Sequence, residues 1–246
     1  CLRQSYGHPD GRRAALMTTS GTYTFDPSLG ELTLHAFNLC QLRNTSLTQE
    51  HLQSARIATN LMLASWANQG VNLWAVDLVT TPVTQGVSTY AVDGNTVMIL
   101  DAYMVTTQGS ASIDRVIMPV SRSEYATYPN KEQQGFPTVF WFDRLINPTV
   151  TLWPVPDGNS TSSLKYYRVR QIQDANITNA QTVEIPYLWL EAFADGLAYR
   201  LAKVWNPQIA VGLKAVADET YKIAAEQNIE QVSQFISPQI FGYFRP

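Results

Sequence analysis

Residues 186–204, PYLWLEAFADGLAYRLAKV, carry the clearest periodic pattern of the chain. Large apolar side chains recur there at helical spacing, which predicts an amphipathic helix with one broad apolar face. These side chains are Leu190, Phe193, Leu197, Leu201 and Val204. Proline fits the first position of a helix, so we expect this helix to begin at Pro186. Such a face must be buried against other elements.

A second, more polar helix is predicted to follow. Asn206-Pro207 separates the two helical patterns, and the second pattern extends to about Phe235. The remaining segment, residues 236–246, is too apolar for a solvated tail and is interrupted by two prolines and a glycine. Its large apolar residues are Ile236, Ile240, Phe241, Tyr243 and Phe244.

The first part of the chain also contains two helical patterns. Asp26-Pro27-Ser28 is a helix start signal, and apolar residues follow it at helical spacing as far as Cys40. Ser46 or Thr48 is expected to cap the second helix. Gly70 is a typical stop signal for that helix.

Between these helical regions, residues 72–185 change to a period of two and are rich in β-branched and aromatic residues, as is typical of strands. Asp93-Gly94 and Asp157-Gly158 are hairpin turn signals. Ser121 followed by Glu124 indicates one helical turn between strands. The expected strands are Leu73–Val76, Ser88–Val92, Thr96–Thr106, Arg115–Pro119, Thr138–Asp143, Thr149–Val155 and Ser163–Gln171.

These patterns predict an α+β fold, in which both ends of the chain form a helical bundle and an antiparallel β-sheet or sandwich domain is inserted between them. Each helix pair alone would bury too little apolar surface, so we expect the two pairs to pack together. The expected boundaries are 1–20 for a flexible N-terminal arm, 21–71 and 186–235 for the bundle, 72–185 for the inserted β domain and 236–246 for a C-terminal docking tail.

Charge and cysteine content exclude several classes of protein. Only 15% of the 246 residues are charged and the net charge is −3, whereas about 25% charged residues are typical. Proteins that grip nucleic acid neutralise phosphates with an excess of Lys and Arg, which this chain lacks. Two cysteines cannot form a disulfide framework, and no apolar run approaches the roughly 20 residues of a membrane helix. The chain therefore buries its surface in a large interior or against partners.

The sequence contains none of the usual catalytic motifs. Its three histidines, His8, His35 and His51, do not form a zinc-binding HExxH pattern, and GxSxG and glycine-rich phosphate loops are absent. Paired carboxylates could in principle hydrolyse a glycoside, but the candidate acids have no diagnostic neighbours. These acids are Glu31, Glu50, Asp101, Asp114, Asp143, Glu184 and Glu191. We therefore expect no catalytic residue, no metal and no cofactor.

Two further patterns could bind ligands. Trp141 and Trp153 could stack on sugars from an exposed sheet face. Successive strand residues point to opposite faces, so we favour a core on one side and an interface or second layer on the other. Lys165, Arg168 and Arg170 form the main basic cluster. Because Lys165 alternates away from the two arginines, a phosphate-binding track is not expected.

Six short phrases, spread over residues 20–235, carry a resemblance to a known family. They are TFDPSLGEL at 24–32, AF at 36–37, RNTSLT at 43–48, WANQGVNLW at 66–74, LWPVP at 152–156 and the Leu/Ala-rich helix at 187–204. In these phrases and in the order of its elements, the chain resembles the tailed-phage head-to-tail adaptor proteins. That family is also called head-completion proteins, tail accessory factors or connectors.

The resemblance implies a structural virion protein of a bacteriophage, without enzymatic activity. It implies a ring of twelve copies, assembled in the host cytoplasm and attached beneath the portal at the head–tail interface. Such a ring would extend the channel that double-stranded DNA passes through, without specific binding, during genome ejection. It would also be the attachment platform for a downstream tail or nozzle protein, with no membrane involved.

The resemblance also implies a role for the apolar tail. In that family the C-terminal segment commonly docks on the portal. The expected docking residues are therefore Ile236, Ile240, Phe241, Tyr243 and Phe244.

The sequence leaves open two alternative functions from other classes of protein. A virion-associated peptidoglycan hydrolase would use two of the isolated acids as its catalytic pair. A carbohydrate-binding tail module would use Trp141 or Trp153 to retain a glycan.

Overall fold

The computed structural model describes residues 20–70, 73–108, 111–158, 161–176 and 181–229. The helices are α1 (Leu29–Leu39), α2 (Gln49–Ala67), α3 (Arg122–Thr127), α4 (Leu190–Trp205) and α5 (Pro207–Gln227). The strands are β1 (Val76–Pro82), β2 (Thr89–Ala91), β3 (Thr96–Gln108), β4 (Ala111–Pro119), β5 (Gln134–Gly135), β6 (Val139–Asp143), β7 (Thr149–Trp153), β8 (Val155–Pro156) and β9 (Thr161–Arg170).

Seven of the strands form one curled sheet, in the order β1-β9-β3-β4-β6-β7-β2. Its longest unit is the β3–β4 hairpin, which is paired from Ala102↔Ile117 to Gln108↔Ala111. The sheet is mixed, because β6 runs parallel to β4 whereas the other neighbours are antiparallel. Strands β5 and β8 form a separate parallel pair.

The predicted fold class, a helical bundle formed by both ends of the chain with an inserted antiparallel domain, is wrong. The curled mixed sheet is the largest part of the structure, and the helices lie mainly at the C-terminus, where α4 and α5 pack side by side. The predicted N-terminal pair does not pack as a pair. The backbones of α1 and α2 run along α4 and not along each other, although the rings of Phe37 and His51 touch near the connection between them.

The parallel pairing of β4 with β6 also explains why the prediction of an antiparallel sheet was wrong. After β4 ends at Pro119, the chain crosses through α3 and β5 before it enters β6. This long connection lets β6 start beside the end of β4 and continue in the same direction, with Met118 paired to Val139. A tight hairpin at this place would have forced the opposite direction.

The helices and the sheet each have their own apolar core. In the helical core, Phe37 of α1, Met62 of α2 and Leu197 of α4 are almost completely buried. The indole of Trp66 lies 5.1 Å from that of Trp189. The residues of the sheet core include Met104, Ile117, Phe140, Leu152 and Leu164, none more than 2% exposed.

Local signals placed several element boundaries correctly. The Ser28 hydroxyl accepts a hydrogen bond from the Glu31 N–H, and Glu31 accepts one from the Ser28 N–H, so α1 begins at the predicted start. Thr48 is the residue before α2. Pro207 opens α5, but the helix ends at Gln227 with Asn228 as its cap, so the predicted end near Phe235 is wrong.

The predicted strand Leu73–Val76 is wrong. Residues Leu73–Ala75 form a 3₁₀ turn, and the strand follows it as β1, from Val76 to Pro82. This strand borders the sheet and has Leu78, Thr80 and Pro82 exposed. Because a border strand buries little, its sequence shows only weak alternation.

Candidate interaction surfaces

The expected docking tail cannot be placed in the fold. Its residues Ile236, Ile240, Phe241, Tyr243 and Phe244 lie outside the described residues. Residues 1–19 of the expected N-terminal arm also lie outside them. The arrangement of both segments stays a prediction.

Two of the candidate acids are engaged in structural contacts. Glu31 is engaged in capping α1, and Glu184 is ion-paired with Arg170. Among the residues that the structure describes, no group of three His, Cys, Asp or Glu could hold a metal ion. His51 stacks on Trp205 with the ring centroids 4.0 Å apart, which is a helix-packing role.

Cys40, the residue that follows α1, has a structural role. Cys40 is fully buried, and its Sγ donates a hydrogen bond to the carbonyl of Ala198 at 3.0 Å. Burial raises the pKa of this thiol to about 11. Because the thiolate is the reactive form, the thiol is inert at neutral pH.

The predicted basic cluster is neutralised within the fold. Arg168 and Arg170 lie on the same face of β9, and three carboxylates surround them. Nη1 of Arg168 lies 3.1 Å from Oδ2 of Asp93. Nε of Arg170 lies 3.0 Å from Oδ2 of Asp77, and its Nη atoms form a bidentate pair with Glu184. The arginines therefore join β1, β9 and the segment before α4, and offer no track for phosphates.

Glu184 is the acid that ties the helical part to the sheet. The hydrogen bonds and charge of Arg170, with a further bond from the Gln173 N–H, hold the pKa of Glu184 below its usual value of 4.5. An acid with a lowered folded pKa stabilises the fold above its unfolded pKa, and that stabilisation is lost as the pH falls through the folded pKa.

We expect Glu184→Gln to lower the free energy of unfolding at pH 7 by about 1–2 kcal/mol, because it removes a charge-assisted pair. The loss should begin to shrink near pH 4.5, where the carboxylate of the unfolded chain becomes protonated, and should shrink further as the pH falls through the lowered pKa of Glu184 in the folded protein. Urea unfolding at several pH values measures both effects. Glu226→Gln, on the exposed side of α5, is the control and should leave stability unchanged. An equal loss at pH 7 and pH 3 would contradict the assigned ion pair.

The two tryptophans proposed as a sugar platform are covered by a second layer. Tyr125 of α3 stacks on Trp141 with centroids 5.4 Å apart, and Tyr128 lies 4.3 Å from Trp153. The Trp153 Nε1 donates to the carbonyl of Asn130 at 2.9 Å. This packing agrees with the favoured interpretation of a second layer and leaves the rings poorly placed for stacking on a sugar.

Strand β4 presents apolar side chains to solvent. Residues Ala111–Val116 are all exposed. Val116 is 74% exposed and Met118 is 62% exposed. The sequence predicted a strand over Arg115–Pro119 and did not indicate which of its side chains are exposed.

A second apolar surface lies where the first helix meets the start of α4. It is a groove of about 440 Å³ whose lining includes the apolar Phe25, Tyr187 and Leu188 and the acidic Glu191 and Asp195. The rings of Phe25 and Tyr187 pack edge to face at 6.4 Å. Burial raises the pKa of the Asp195 carboxyl. No sequence pattern singled out this groove, because Tyr187 and Leu188 continue the apolar run of α4.

Comparison with known proteins identifies the family of the chain that carries these surfaces. The model of the SU10 adaptor protein family matches residues 41–238, from the turn after α1 to beyond α5, and includes every strand. The chain belongs to the SU10 adaptor protein family. A search of curated proteins found no match. The resemblance to phage head-to-tail adaptors, inferred from short phrases, is thereby confirmed.

Membership of the SU10 adaptor protein family has direct consequences. The protein is a phage adaptor with a structural role, a component of the virion that associates with other head and tail proteins. None of the helices in the described part of the chain is long and apolar enough to span a membrane. Adaptors work through their surfaces, so the exposed β4 strand and the Phe25–Tyr187 groove are the sites of interest.

Proposed function

We propose that this SU10 adaptor-family protein forms a ring of twelve copies beneath the portal vertex, acts there without turnover chemistry, and carries the next tail or nozzle component. The family match over most of the chain is the observation that supports this proposal. The exposed apolar side chains support it further, since large exposed apolar patches on a soluble domain mark contacts with other proteins.

The charge of the chain suits a channel for double-stranded DNA. The protein carries a net charge of −3, and the arginines of its basic cluster are paired with carboxylates inside the fold. A lumen lined with such a surface would hold phosphates weakly, because DNA affinity depends on unpaired Lys and Arg. DNA would therefore pass during ejection without specific binding.

The portal contact is assigned to the C-terminal tail. Its apolar residues are Ile236, Ile240, Phe241, Tyr243 and Phe244, and Arg245 is its only charged residue. Terminal segments of this kind bind by adding to a groove or a strand edge of a partner. The portal is the partner that the family resemblance implies.

The copy number in purified particles tests the ring. We expect the protein to sediment with DNA-filled particles at about one copy per portal subunit, as quantitative mass spectrometry of each gradient fraction would show. Particles from a phage lacking this gene are the control for background. Recovery of the chain only from the slow, soluble fractions would contradict the proposal.

A further inference from the structure

One edge of the β3–β4 hairpin has none of the described strands beside it. Residues Ala111–Ile117 pair with β3 on one side, and β6 joins the other side only from Met118 onward. The Met118 N–H donates to the Thr138 carbonyl at 3.0 Å, away from β3. Because main-chain groups alternate sides along a strand, those of every second preceding residue point the same way. These residues are Ser112, Asp114 and Val116, and none of the described strands pairs with β4 on this outward side of them.

Strand β1 is open on its outer side as well. Among the described strands it pairs only with β9. The Val83 N–H donates to the Ser162 carbonyl at 3.1 Å, toward β9, so the even-numbered residues of β1 direct their main-chain groups outward. They are Val76, Leu78, Thr80 and Pro82. Pro82 has no N–H, and an outward position is where a strand tolerates proline.

We propose that β1 of one copy pairs antiparallel with the open edge of β4 in the next copy, so that the sheet continues from subunit to subunit. This inference rests on the proposed ring. The lengths agree, since β1 has seven residues and Ala111–Ile117 spans the same number. The directions agree too, because β1, β9, β3 and β4 alternate in direction and a β1 placed beside β4 continues the alternation.

We adopt a register in which outward main-chain groups meet and core-facing side chains share one face of the sheet. It pairs Val76 with Val116, Leu78 with Asp114 and Thr80 with Ser112, all through outward main-chain groups. Val79 then lies opposite Ile113 on the face that carries the sheet core, where Val79 packs and Ile117 is buried. Cross-strand apolar pairs of this kind stabilise a sheet.

The same register places opposite charges together. Asp77 of one copy lies opposite Arg115 of the next. The Asp77 side chain is ion-paired with both Arg168 and Arg170 and still remains 41% exposed, so Arg115 of the next copy approaches it from the solvent side. Arg115 lies over the ring of Phe136, 4.9 Å from its centroid, at the open edge. Opposite charges directly across two strands are favourable.

This pairing is head-to-tail, because it joins two different surfaces. In the described part of each copy, β1 and β4 each leave one edge unpaired, so every copy can bind two neighbours, and the repeated contact becomes a ring where the rotation between copies closes. Closure would also remove both exposed edges, which otherwise invite aggregation. Pairing of β4 with a second β4 would instead give a symmetric dimer.

Cysteine cross-linking tests the register. The Val79 and Ile113 positions form a pair without main-chain bonds, whose Cα atoms lie about 4.5 Å apart and can be bridged by a disulfide. Within one chain, Val79 is level with Ile117 across β9 and β3, about 14 Å away across the sheet, and Ile113 lies four residues along β4 from there. The bridge can therefore form only between copies. The variant carries V79C and I113C in the full chain. Cys1→Ser is added so that Cys1 cannot form a disulfide, whereas the native Cys40 is buried and can stay.

We expect mild oxidation of portal-bound protein to give dimers, trimers and larger species up to the closed ring. A mixture of the two single variants should give dimers only. The control pair L78C and I113C, on opposite faces, should remain monomeric. Absence of linked species in a protein that still sediments with portals would overturn the β1–β4 pairing alone, as would equal linking of the control pair. Loss of the ring itself, seen with wild-type protein, would instead overturn the proposed function.

Discussion

Leu197→Asp is expected to abolish folding. Leu197 is completely buried in the centre of α4, where helices α1 and α2 also pack. A carboxylate placed there has no partner and must be desolvated, which costs about 5 kcal/mol or more together with the lost apolar contacts. That is comparable with the whole free energy of unfolding of a typical domain. Circular dichroism and thermal unfolding of the purified variant measure the effect.

Val204→Asp is the matched control for this substitution. Val204 lies on the same helix but is 61% exposed, so an aspartate there stays in water. We expect it to change the free energy of unfolding by less than about 1 kcal/mol. A Leu197→Asp protein that melts at the wild-type temperature would show that the buried face of α4 is wrongly assigned.

Deleting residues 236–246 is expected to remove portal binding and leave the fold intact. The described residues end at 229 and already form both the helical and the sheet core. The loss of five large apolar residues should remove most of the binding energy, since a few apolar anchors dominate such contacts. Co-sedimentation with purified portal rings measures binding, and the thermal unfolding midpoint reports the fold.

A variant of unchanged length separates apolar contact from mere chain length. Ile240, Phe241 and Phe244 changed together to Ser should bind as poorly as the deletion. Ser237→Ala with Gln239→Ala should bind like wild type, because it keeps every large apolar side chain. Normal portal binding by the truncated chain would show that the docking surface lies elsewhere.

Local sequence signals predicted the elements better than their arrangement. The Ser28–Glu31 capping box and Pro207 marked the starts of α1 and α5, because helix ends are set by hydrogen bonds within a few residues. The predicted strand Thr138–Asp143 differs from β6 by one residue. Such boundaries depend on chemistry that is visible in the sequence.

The arrangement of the strands depended on information that the sequence does not carry locally. The parallel placement of β6 beside β4 follows from how the connection through α3 packs, with Tyr125 over Trp141. The alternation of apolar residues is the same for parallel and antiparallel neighbours in a half-buried sheet. Alternation therefore identified strands and could not distinguish a mixed sheet from an antiparallel one.

The surfaces were the least predictable part. Val116 and Met118 belong to a β-branched and apolar run that is typical of a buried strand, yet both are largely exposed. Burial in a single chain is only part of their environment when the protein works in an assembly. The basic cluster differs from β4, because its charged side chains find their partners within the same chain. Arg168 and Arg170 form ion pairs with acids distant in sequence.

Electron microscopy of the portal vertex in DNA-filled particles tests the account most directly. We expect a ring of this chain directly beneath the portal, with one copy per portal subunit and the curled sheet recognisable in each copy. A vertex whose ring is built from another protein, or particles that lack this chain, would contradict the account.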